Sequence, residues 1–130
     1  MEAILFNPDP CAYLPHRPPF LFIDRIVALE PGVAATGELA VTGSRYFPPL
    51  LLVEAMAQIG GIAFGQKEGE GGVLAALEKV ELPAEVSQGV LQVESRIAKS
   101  FGRIVRLEGE VRQDGKVIAA AILTLGVGTQ

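Results

Sequence analysis

At 130 residues, with 49% hydrophobic and 20% charged side chains, the chain has the size and composition of one globular domain and lies far from the disordered class. A formal charge of −4, with no basic stripe interleaved with aromatics, gives no electrostatic reason to expect nucleic acid as a partner. One cysteine, Cys11, excludes an internal disulfide, and no stretch reaches the ~20 clean apolar residues of a membrane span.

The N-terminal stretch carries Pro8, Pro10, Pro15, Pro18 and Pro19. Each removes a backbone donor and restricts its predecessor, so a loop with at most one short turn is expected. It has neither the basic start nor the long apolar run of a signal peptide, and a cytoplasmic location is expected. From Phe20 to Leu29 the residues are largely β-branched, aromatic or aliphatic; Pro31-Gly32 then supplies a turn into a second run, Val33 to Val41. The pair predicts a hairpin.

After Pro48-Pro49, the run from Leu50 to Phe64 shows no strand alternation and is too long for one strand. It predicts a helix, entered through prolines that suit a first turn and left through the lysine and glycines of 67–72. A helix apolar all round must be covered on all sides. Its strongly polar members, Glu54 and Gln58, are four apart and so project from one face.

Val90 to Ala98 alternates, with Leu91, Val93 and Ile97 opposed to Gln92, Glu94 and Arg96, and Val105, Leu107 and Val111 alternate with Arg106, Glu108, Glu110 and Arg112. Asp114-Gly115 is a two-residue hairpin signal leading into a last strand, Lys116 to Leu125. Gly72 to Leu82, closed by Pro83, is a weaker strand. The order predicts an α+β fold over residues 1–130, an antiparallel sheet curved around one buried helix.

Glu54 admits two readings. A carboxylate in an apolar helix costs several kcal/mol to bury unless it is paired, protonated or reached by water, so it is either a general acid or base beside a cleft or a group bonded to nearby backbone donors or helping to cap the helix. His16 is the only histidine, so any catalysis that needs an imidazole must use it, although a structural hydrogen bond is the commoner fate of a loop histidine. Gly60-Gly61 lacks the lysine and spacing of a phosphate loop and fits close packing of helix on sheet. No cluster has metal-ligand spacing, and no metal or cofactor is expected.

Two segments together resemble the FabA/FabZ family of 3-hydroxyacyl-[acyl-carrier-protein] dehydratases. Leu14-Pro15-His16-Arg17-Pro18-Pro19-Phe20-Leu21-Phe22-Ile23-Asp24-Arg25 is similar to the family's LPHRxPFLxxDR opening, and Glu54-Ala55-Met56-Ala57-Gln58-Ile59-Gly60-Gly61 to its EAMAQxxG helix. The resemblance implies the hot-dog fold, a homodimer or higher assembly joined sheet edge to sheet edge, and an interface tunnel for an acyl chain on a carrier-protein or CoA thioester. It places Glu54 at the catalytic carboxylate and Gln58 one turn on. The family's histidine loop before the helix is shortened here to Gly43-Ser44-Arg45-Tyr46-Phe47-Pro48-Pro49; Tyr46 stands where that histidine would align, and Tyr46, Phe47 and Gln58 are expected beside the substrate. His16 is then the candidate replacement base, and the helix start after Pro49 a candidate source of oxyanion N–H donors. The expected activity is dehydration of a 3-hydroxyacyl thioester in fatty-acid or related acyl metabolism. A hot-dog thioesterase and a non-catalytic acyl-binding subunit are the alternatives.

Overall fold

The structure is a computed structural model that describes residues 6–14, 16, 21–42, 46–65 and 70–129. Six strands and one long helix follow one another as β1 (Arg25–Glu30), β2 (Ala34–Val41), α1 (Leu51–Phe64), β3 (Glu70–Glu81), β4 (Gly89–Phe101), β5 (Ile104–Gln113) and β6 (Lys116–Thr129), after a short 3-10 turn at Pro10–Ala12. That turn is the one the prolines permit. Asp9 caps it, its carboxylate accepting the Cys11 N–H at 2.9 Å.

The first strand begins at Arg25 rather than at Phe20, which lies outside the described residues. The reason is a competing partner. Phe22 gives its N–H to the Gln58 side chain at 2.9 Å instead of to a strand, and Asp24 makes the bend into β1, where its carboxylate accepts the Ala40 N–H at 2.7 Å. Leu21 to Ile23 therefore pass over the helix, and Ile23 is 1% exposed. The turn at Pro31-Gly32 forms as expected, with Gly32 at φ 77. Its N–H reaches the Ala63 carbonyl at 2.8 Å, so this turn also closes one of the open carbonyls at the end of α1.

The helix ends at Phe64, as its apolar run predicts, but its cap is Gly65 rather than the glycines of 67–72: Gly65 is in the left-handed region at φ 88, and its N–H caps the Gly61 and Ile62 carbonyls. Leu52, Met56, Ile59 and Ile62 are fully buried, in one core with Leu91, Val93, Val105, Leu107 and Leu123 of the sheet. Three glycines set the approach distance: a Cβ on Gly60 would fall onto Leu107 Cδ1, one on Gly109 would meet the Met56 side chain, and one on Gly37 would meet Ile59 Cδ1. Ser95, fully buried on β4, donates its hydroxyl to the Met56 carbonyl at 2.7 Å. Coverage is not complete, however. Leu51, Glu54, Ala57 and Phe64, spaced three to seven apart, keep intermediate exposure and mark one stripe of α1 that the sheet does not close.

All neighbouring strands are antiparallel, in the order β1-β2-β4-β5-β6-β3. The alternation in β4 and β5 is as the residues require, with Leu91, Val93, Val105, Leu107 and Val111 buried and Gln92, Arg96, Arg106, Glu108 and Arg112 exposed. β3 and β6 run longer than their apolar patterns suggest, because each continues the ladder of the other from Glu70 opposite Thr129 to Glu81 opposite Ala120. β3 is a terminal strand of the sheet, interrupted by two bulges, with Lys79 at φ 49 inside the second. Among the described residues no helix is long and apolar enough to cross a membrane.

Candidate functional site

Helical spacing puts Glu54 and Ala57 on the partly open stripe of α1, with the buried Gln58 beside them, facing β3 and β6. There they line a cavity with Leu14 and His16 from the N-terminal segment, Gly72 and Leu74 from β3, and Leu125 from β6. Within one chain the enclosed space is about 30 Å³, enough for about two waters.

The sequence offers one imidazole, and it is here. His16 Nε2 lies 3.6 Å from Glu54 Oε1. That separation is too long for a hydrogen bond yet short enough for both groups to reach neighbouring atoms of one small substrate. The side chains of His16 and Glu54 are 24% and 40% exposed, so the carboxylate is neither sealed in the core nor fully solvated. Its desolvation cost is accordingly smaller than a helix apolar on every face would impose.

Gln58 orders the arrangement. It is 2% exposed, its Oε1 accepts the Phe22 N–H at 2.9 Å, and its Nε2 donates to Glu54 Oε1 at 3.0 Å. A backbone N–H can be received only by the amide oxygen, so that bond fixes which end of the side chain is NH₂ and turns it toward the carboxylate. The same amide thus ties the segment that carries His16 to the helix that carries Glu54.

Of the residues singled out from the sequence, Glu54, His16 and Gln58 are brought together. Tyr46 and Phe47 are not part of this cavity: Tyr46 is 70% exposed, and Phe47 is half-buried against the core. Gly43, Ser44, Arg45 and Arg17 lie outside the described residues. The helix start also differs from expectation. The N–H groups of Leu51, Leu52 and Val53 each bond the carbonyl three residues back, on Pro48, Pro49 and Leu50, at 3.0 Å. Those donors are occupied in forming the first turn, which removes them as ready oxyanion ligands.

The walls Leu14, Ala57, Gly72, Leu74 and Leu125 were not legible as site residues, since only the strand order brings β3 and β6 beside Glu54. Leu14 alone carried a signal, as the residue two before His16 in the same motif. Among the described residues no group of three His, Cys, Asp or Glu side chains is placed to hold a metal ion.

No family model matches the chain. It is 35% identical over 130 residues to the 3-hydroxyacyl-[acyl-carrier-protein] dehydratase FabZ of Bacillus velezensis, an alignment covering 88% of this chain and 92% of that protein. To the FabZ of Clostridium botulinum strain Loch Maree it is 34% identical over 143 residues, covering 98% and 99%. Among solved structures, the dehydratase heterocomplex ApeI:P from Xenorhabdus doucetiae superposes with a TM-score of 0.83 at 18% identity, over 98% of this chain and 94% of that one. A thioesterase from Haemophilus influenzae superposes at 0.62 with 16% identity, over 81% and 78%. The two structural likenesses establish the hot-dog fold, and at these identities they speak to the fold alone.

Proposed function

Because the chain belongs to the FabZ family of 3-hydroxyacyl-[acyl-carrier-protein] dehydratases, we propose that its cleft removes water from a 3-hydroxyacyl thioester, with Glu54 and His16 as the proton-transferring pair. The observation that carries this is the 3.6 Å approach of the only imidazole to the helix carboxylate, at an apolar-walled cavity.

The chemistry asks for two proton transfers on adjacent carbons. The neutral His16 imidazole takes the proton from C2; the electron pair left behind forms the C2–C3 double bond; the C3–O bond breaks, and protonated Glu54 supplies the proton with which the hydroxyl leaves as water. The Gln58 amide fits this assignment, since it holds Glu54 through Oε1 and leaves the second carboxyl oxygen as the one to face substrate. Leu14, Leu74 and Leu125 supply apolar wall for the carbons next to the thioester and limit bulk water around the reacting atoms.

The thioester is carried on an acyl carrier protein or CoA. A cavity of about 30 Å³ in one chain is too small for an acyl chain, and Gly72 and Leu74 of its wall belong to the terminal strand β3. A second copy joined along β3, where Val73, Leu77 and Val80 are exposed, would lengthen that wall into a channel. The direct test is incubation with 3-hydroxybutyryl-CoA and with the corresponding carrier-protein thioester. Formation of the 2,3-unsaturated thioester is the expected result; release of free thiol without it would move the protein to the thioesterases.

A further inference from the structure

We infer that Ser95 is a positioning residue for Glu54: from the sheet side, its hydroxyl holds the backbone of α1 at the rotation that aims the carboxyl group into the cleft. The inference rests on the reading of Glu54 as the proton donor and adds what sets its direction.

Cross-strand partners share a face of the sheet, so the ladder puts Ala35, Ser95, Gly109 and Ala121 in one buried row across β2, β4, β5 and β6. All four are small. The rows on either side are bulkier, with Val93 opposite Val111 in one and Ile97, Leu107 and Leu123 in the other. The result is a shallow trough across the sheet, and Met56 lies in it, its side chain occupying the space that a Cβ on Gly109 would need. Ser95 is the member of the row with a polar side-chain atom, and it donates its hydroxyl to the Met56 carbonyl at 2.7 Å.

Packing does not call for that hydroxyl. Alanine already serves at two places in the row, and in an α-helix the Met56 carbonyl is satisfied by the Gly60 N–H. What the bond adds is direction. Glycine and alanine give α1 smooth contacts about which a helix can turn, whereas a hydrogen bond weakens steeply away from its line. Among the described residues the buried polar side chains are Ser95 and Gln58, and their bonds converge on residues 54–58: Ser95 on the Met56 carbonyl, Gln58 on Glu54 and on the crossing Phe22 N–H. Met56 follows Glu54 by two positions, about 200° round the helix, so Ser95 holds α1 from the side away from the cleft. A turn of about 10° about the axis carries a group about 6 Å out through about 1 Å. A misplacement of that size costs up to about 100-fold in rate.

The test is a kinetic cycle of Ser95→Ala and Glu54→Gln with 3-hydroxybutyryl-CoA, run at a temperature where melting curves show every variant folded. Single-turnover rates with enzyme in excess, followed over hours, reach the slow Glu54→Gln background. Ser95→Ala is expected to lower kcat about tenfold with KM within about twofold of wild type, and to leave the rate of Glu54→Gln unchanged, because no proton donor is left to aim. A purely structural role would lower both backgrounds by the same factor. That result, or a wild-type kcat in Ser95→Ala, overturns the inference. Ser95→Cys keeps the volume with a weaker donor and takes the place of the alanine variant if that one unfolds; a smaller loss of kcat is expected, again confined to the background that retains Glu54. Glu54→Gln with the wild-type rate would overturn the reading of Glu54 and this inference with it, whereas an impaired Glu54→Gln beside a fully active Ser95→Ala overturns this inference alone.

Discussion

At the scale of single residues, Glu54 is informative because of its surroundings: a lone carboxylate on a helix whose one other strongly polar side chain is Gln58, set on the one stripe the sheet leaves open. Glu54→Gln keeps the shape of the side chain but removes the transferable proton. It is expected to lower dehydration by about 10²–10⁴-fold with an unchanged far-UV spectrum. Gly60 makes a different demand. Alanine at an exposed helix position would gain about 1 kcal/mol over glycine, but here the added methyl falls onto the buried Leu107, and overpacking costs about 1–3 kcal/mol. Gly60→Ala is therefore expected to destabilise by about 1 kcal/mol in urea unfolding, and Leu107→Val to recover part of the loss in the double variant. The i, i+4 spacing of Glu54 and Gln58 was legible in the sequence because helical periodicity alone places both on one face. The approach of His16 was not, since nothing local says where a proline-rich loop will lie. The expectation of N–H donors at the helix start failed for a local reason: Pro48, Pro49 and Leu50 offer carbonyls that the first turn uses itself.

Among the elements, the helix and the two alternating strands β4 and β5 were readable because each follows one period over its whole length. The segment from Leu21 to Ile23 has the residues of a strand and yet lies outside β1, for an instructive reason. Apolar, β-prone residues are equally at home in a ladder and in a crossing over a helix, and the choice was made by Gln58, some thirty-six positions away. The β5–β6 turn was readable, and it now has a geometry: Asp114 at φ 51 and Gly115 at φ 79 are both in the left-handed region, as a type I′ turn requires. Asp114→Asn is expected to be neutral or slightly stabilising, whereas Asp114→Val forces a β-branched residue into that region and is expected to cost about 1–2 kcal/mol in the same unfolding measurement. In β3, Lys79 holds φ 49 inside a bulge on an exposed strand. Lys79→Gly relieves that conformation but loosens the unfolded chain, so a gain below about 1 kcal/mol is expected, read as a small rise in melting temperature.

On the scale of the whole molecule, the strand order matters more than any strand. Placing β3 outside β6 brings Gly72, Leu74 and Leu125 to the open stripe of α1, and the crossing N-terminal segment closes the other side with Leu14 and His16. That a sheet curves around one helix could be read from the order of periods; which strand stands at the edge could not, because pairing between strands distant in sequence leaves no local mark. Dehydration turns on whether the imidazole and the carboxylate that the fold brings within 3.6 Å act together. The rate of 2,3-unsaturated thioester formation from 3-hydroxybutyryl-CoA, compared between wild type and His16→Ala at matched thermal stability, tests this most directly. A loss of about 10²-fold or more in the variant is the expected result. Equal rates in the two proteins would contradict it.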